Sequence, residues 1–217
     1  MAIETIVISQ IPVIPEYFYL YSSLSCAAVA FISFLISYFS FKIYRKSSMK
    51  LNLILSLGFL ALAVAFTSLT LASSYTYYYK PYFEDYENLS RVNYVAYNSY
   101  YILSLISYIL FAVMYLPGKL KNKLFILYLP LWYIDNFSFH LLSILFVGYA
   151  LLINLINCSK KRSLNSLLVT IAFLAIEVFH ISFLLIPFDV SMYLAAHALL
   201  TIGFSSLLIM LIRVSVK

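Results

Sequence analysis

Charge is what this sequence is short of. Only 10% of its 217 residues are Asp, Glu, Lys or Arg, where soluble domains carry roughly 25%. With 64% hydrophobic residues and a mean hydropathy of +0.97, a water-soluble globule is excluded. Cysteine is also scarce. Cys26 and Cys158 fall in apolar runs at opposite membrane faces, which forbids a mutual disulfide, and neither has metal-site spacing. The four glycines form no phosphate-binding loop. No repeat and no soluble domain are visible, so residues 1–217 read as a single transmembrane domain. Residues 1–17 lack the basic start of a signal peptide, and no cleavage is expected; Pro12 and Pro15 suggest an extended segment there.

The few charges present are ordered. Lys42, Arg45, Lys46 and Lys50 follow the first apolar run, Lys119, Lys121 and Lys123 the third, and Lys160, Lys161 and Arg162 a later one; Arg213 and Lys217 close the chain, and only Lys80 and Arg91 lie elsewhere. Seven acids (Glu4, Glu16, Glu84, Asp85, Glu87, Asp135 and Asp189) lie between these clusters, and the eighth is Glu177. Basic segments face the cytoplasm. The net charge of +6 is therefore topogenic, and nucleic acid is not the partner it implies. The partners expected are membrane lipids, including anionic headgroups at the basic clusters.

The resulting expectation is an all-α, polytopic bundle of seven transmembrane helices in the cell membrane, N-terminus out and C-terminus in. The spans fall at about 18–43, 51–73, 95–116, 123–136, 137–157, 164–186 and 190–212. Ser33, Ser37 and Ser40 in the first, and Gly58 with Ala61, Ala63 and Ala65 in the second, suit close helix packing. The fourth is the weak member. Between Lys123 and Lys160 the chain must cross twice, with the turn at Asp135-Asn136. That leaves a helix of roughly 20 Å against a hydrocarbon core of about 30 Å. Residues 74–94 are the one sizeable loop, rich in tyrosine and acid. They read as an interfacial aromatic belt or as a docking surface for a membrane or extracytoplasmic protein, and Asn88-Leu89-Ser90 is a glycosylation triplet.

Ionisable groups inside hydrocarbon are functional candidates. Glu177, His180 and His197 lie in the last two spans, and His140 in the fifth. His180 and His197 sit eight and nine residues either side of Phe188, so on antiparallel neighbours both lie about 10–12 Å below the outer end. Glu177 shares a face with His180, three residues away. Ser166 and Thr170 extend that stripe; Thr201 and Ser205 follow His197, and Ser143 and Asn154 follow His140.

Three chemistries fit this set. Two imidazoles at matched depth could ligate haem axially, or with Glu177 hold a transition metal ion, as in a membrane subunit of a redox complex. Glu177-x-x-His180 also has the spacing of carboxylate di-metal bundles, but lacks the second copy that such sites need. Alternatively, Glu177 is the protonatable centre of a proton-coupled transporter with His180 as relay. The third reading is a ligand-free scaffold or sensor subunit in which these groups only hold helices together. A retinal Schiff base is excluded, because the last span has no lysine before Lys217.

Overall fold

The computed structural model describes residues 15–79, 86–116 and 135–215. Within them lie six helices: α1 (Glu16–Ser47), α2 (Lys50–Tyr79), α3 (Tyr86–Tyr115), α4 (Asn136–Lys161), α5 (Leu164–Leu185) and α6 (Ser191–Ser215). Helices are what a chain in hydrocarbon must form, since backbone N–H and C=O groups find no water there. The punctuation agrees. Pro15 caps α1, Pro187 lies in the turn after α5, and no proline stands inside a described helix.

All six helices are long and apolar enough to cross a membrane. Phe31, Phe34, Leu71, Leu145, Leu152 and Ile202 are exposed on the outside of the bundle, a surface that suits lipid rather than water. The protein is a multi-pass membrane protein whose outer surface contacts lipid.

Each helix packs on the next, and α6 closes on α1. Paired side chains give the directions. Ser22–Ser73 and Ser37–Ser56 make α1 and α2 antiparallel, and Thr76–Asn93 ties α2 to α3 as a hairpin. Two neighbours run parallel: α1 with α6, through Ser22–His197 and Ser25–Thr201, and α3 with α4, through Tyr101–Asn136 and Tyr115–Asn154. One end of the bundle therefore gathers Arg45, Lys46, Lys50, Lys160, Lys161 and Arg213. This is the basic end. The far end carries Glu16, Asp135 and Asp189.

At the basic end the chain reverses tightly. Ser48 and Arg162 take left-handed backbone conformations, φ 55° and 45°, and cap α1 and α4. At the far end Asp135 and Asp189 accept backbone N–H bonds from Ser138 and Ser191. Bonds from those serines, side chain first and backbone second, hold both carboxyls below the usual Asp range.

Several expectations need adjusting. Of the expected loop over 74–94, residues 74–79 continue α2 and 86–94 belong to α3; residues 80–85 lie outside the described residues. The helices run past the hydrocarbon because tyrosine and polar side chains let them continue into the interface. The glycosylation triplet thus falls in helical backbone. Of the expected fourth span, only Asp135 and Asn136 are described, as the cap and first residue of α4; the rest lies outside the described residues, as do residues 1–14.

The core is aromatic. Phe59 packs on Phe111 at 4.9 Å and on Phe204 at 6.2 Å between ring centroids, and Phe66 meets Phe204 at 5.7 Å. Small residues permit the close approaches. A Cβ on Gly58 would stand 2.6 Å from the Phe111 ring, and one on Gly203 would meet the Ala172 carbonyl at 3.1 Å.

Candidate functional site

Two polar networks occupy the far half of the bundle, and the expected site residues are divided between them. The first joins α3, α4 and α5. The Nδ1 atoms of His140 and His180 are 2.9 Å apart, and His180 Nε2 lies 3.1 Å from the Tyr108 hydroxyl. All three side chains are buried. They are walled by Phe139, Phe179 and Phe183, with the Phe183 ring stacked on His140 at 4.7 Å.

This chain of three has a property that follows from its atoms. With both rings neutral, each imidazole has one donor and one acceptor nitrogen. If Tyr108 donates to His180 Nε2, then His180 Nδ1 donates to His140. If His140 donates to His180 Nδ1, then His180 Nε2 donates to Tyr108. Both arrangements satisfy every bond. Converting the first into the second moves one proton along each bond, while a proton enters at the Tyr108 hydroxyl and another leaves from His140 Nε2.

The second network joins α1, α2 and α6 around His197. Its Nδ1 lies 2.9 Å from the Tyr193 carbonyl, which can only accept, so Nδ1 carries the proton. Nε2 is then the acceptor, and the Ser22 hydroxyl 2.9 Å away donates to it. Ser25 bonds the His197 carbonyl and Thr201. This arrangement has one proton order, and it ties α6 to α1.

Glu177 belongs to neither hydrogen-bonded chain. It projects from α5 toward α4, where a Cβ on Gly148 would stand 3.2 Å from Oε1. Oε2 is enclosed and has no hydrogen-bond partner. Nearer the basic end, Asn154 donates to Tyr115 and to the Ala150 carbonyl, and Thr170 donates to the Ser166 carbonyl. That group is satisfied internally.

Comparison with protein-family models, with curated proteins and with solved structures found no match. The site must therefore be read from its own chemistry. Among the described residues, no three His, Cys, Asp or Glu side chains come together as a metal-binding group. Both ring nitrogens of His180 and of His197 already have protein partners, and the two rings bond to different helices. His140, expected as a subsidiary member, is instead the direct partner of His180.

Tyr108 and Gly148 were not foreseen. Tyr108 is one of 21 tyrosines, and tyrosine in a membrane sequence points first to the interface. Its position inside the apolar part of α3, seven residues from the helix end at Tyr115, is the available signal. Gly148 matters through what faces it across a helix boundary, which spacing along one helix does not reveal.

Proposed function

We propose that the chain handles protons within the membrane, as a proton-coupled transporter component with Glu177 as the protonatable centre and His180, His140 and Tyr108 as its relay. The observation that carries this reading is a carboxyl oxygen enclosed in the bundle without a partner, beside a hydrogen-bonded chain that can be ordered in either direction. Structural glue does not account for it. A charged group at mid-membrane costs about 2.5–3.5 kcal/mol to insert, whereas an interhelical hydrogen bond returns about 0.6 kcal/mol, and Glu177 Oε2 makes no such bond.

The topology we propose with it is N-terminus out and C-terminus in, with a seventh crossing between α3 and α4. Two features support this. All the described basic residues but Arg91 gather at one end, which the positive-inside rule assigns to the cytoplasm. In addition, α3 and α4 run parallel, so the chain leaves Leu116 at the basic end and re-enters at Asp135 at the far end.

The test is proton uptake in proteoliposomes carrying a trapped pH indicator under an imposed membrane potential. Uptake by the wild type that is abolished in Glu177→Gln, and reduced in His180→Phe, is the expected result. Equal uptake by wild type and Glu177→Gln removes the proposal. The metal or haem reading, with Glu177, His180, His197 and His140 as ligands, has less support because both ring nitrogens of His180 and of His197 already bond within the protein. Metal analysis and an absorption spectrum test it directly: a haem absorption band or stoichiometric metal, lost in His180→Ala and His197→Ala, would replace the proton reading.

A further inference from the structure

Ser99, Ser143, Ser206, Thr67 and Thr70 each donate their hydroxyl to the backbone carbonyl one turn earlier. This is the ordinary way a helix in hydrocarbon satisfies such a group. Five buried hydroxyls do not follow the pattern: those of Ser33 and Ser40 on α1, and three on α3. Tyr100, Ser104 and Ser107 are buried to 3%, 0% and 0% exposure, and none of their oxygens has a protein partner. The spacing i, i+4, i+7 puts them on one face of the helix, over about 10 Å of its length.

A buried hydroxyl without a partner is destabilising by about 1–3 kcal/mol, and the large majority of buried side-chain polar atoms in folded proteins are paired, with ordered water among the partners. Three on one face of α3 call for a common explanation. Glu177 Oε2 on α5 is likewise without a partner. Tyr108, next in the chain to Ser107, bonds His180, which lies three residues from Glu177 on the same face of α5. At the other extreme Tyr101, next to Tyr100, donates to the exposed side chain of Asn136 at the far end.

We infer that Tyr100, Ser104 and Ser107 bind a file of water molecules inside the far half of the bundle, and that this file is the route by which Glu177 exchanges its proton with the compartment at the far end. The inference rests on the proton-handling reading and adds the route and its direction. Waters spaced about 2.8 Å apart would need three or four members to cover the stripe. Toward the basic end the surroundings change character. A cavity of about 130 Å³ is lined by Ile36, Leu55, Phe59, Phe111, Leu207 and neighbouring side chains, nearly all apolar. Cavities of that kind stay dry. Asn154 and Thr170, on the same side, already have their bonds filled.

Two measurements test this on the full-length protein in lipid. Radiolytic hydroxyl labelling marks side chains beside bound water even when they are buried. Tyr100 is expected to label well above Phe59 and Phe111; labelling of Tyr100 no higher than those two overturns the inference, whatever Glu177 does. The second is the rate at which the protonated Glu177 carboxyl, identified by infrared difference against Glu177→Gln, exchanges in heavy water. The double variant Ser104→Ala, Ser107→Ala should exchange roughly tenfold more slowly, with Ser143→Ala and Asn154→Leu unchanged. A wild-type rate in the double variant, or slowing in Asn154→Leu instead, overturns the route. Absence of any Glu177 carboxyl band removes the proton-handling reading itself, and the route falls with it.

Discussion

Glu177 and Gly148 share one space: Oε1 of the acid lies 3.2 Å from where any side chain on residue 148 would begin. The glycine is what lets α4 accept a carboxyl from α5. Gly148→Val should therefore displace Glu177 and shift or abolish its infrared carboxyl band and its proton uptake. Gly203→Val is the comparison. Its Cβ meets Ala175 and the Ala172 carbonyl, so it should destabilise the bundle by about 1–3 kcal/mol, as overpacking does, and leave the Glu177 band in place. If both variants behave alike in the infrared, Gly148 is ordinary packing.

Ser22 donates to the one acceptor nitrogen of His197. Removing it leaves a buried acceptor unpaired. Ser22→Ala should lower stability in detergent by about 1–1.7 kcal/mol, the upper part of the range for hydrogen bonds in membranes, without changing proton uptake. A loss of uptake at unchanged stability would move His197 into the functional network.

The two helix caps at the far end give a pH dependence. Bonds from Ser138 and Ser191 hold the Asp135 and Asp189 carboxyls below their ordinary value. A lowered folded value means that the contribution is complete above the unfolded carboxyl range, near 4, and is lost as pH falls through the folded value. Amide exchange at Ser138 and Ser191 should therefore accelerate as pH falls below the ordinary Asp range, beyond its intrinsic pH trend, while amides at the centres of α4 and α6 keep their protection. Equal protection at the helix starts at neutral and acid pH would show that the carboxylates do not hold these ends.

Topology is open to labelling. With Cys26 and Cys158 both replaced by serine, single cysteines at Ser48, Ser159, Asn136 and Asp189 sit at exposed positions. An impermeant maleimide added to intact cells should reach residues 136 and 189 and spare 48 and 159. Labelling of 48 together with 136 would contradict the proposed arrangement of ends.

How much of this was legible in the sequence depends on the kind of fact. Membrane residence, the helical class and the gathering of basic residues at one end follow from composition and from charge order along the chain. These are one-dimensional properties, and a bilayer acts on them directly. The depth of His180 against His197 was legible for the same reason, because helical rise is fixed. The tyrosines and acids of the 74–94 stretch look interfacial and suggest a loop. Such residues continue a helix into the interface as readily as they end one.

What only the tertiary structure decided is partnership. His180 was placed beside Glu177 and His197 by spacing and depth, yet it bonds to His140 on α4 and Tyr108 on α3, while His197 turns to Ser22 on α1. Helix rotation about its own axis sets these choices. That rotation is fixed by shape, by where Gly58, Gly148 and Gly203 let backbones or side chains draw close, and the shape belongs to pairs of helices rather than to either one.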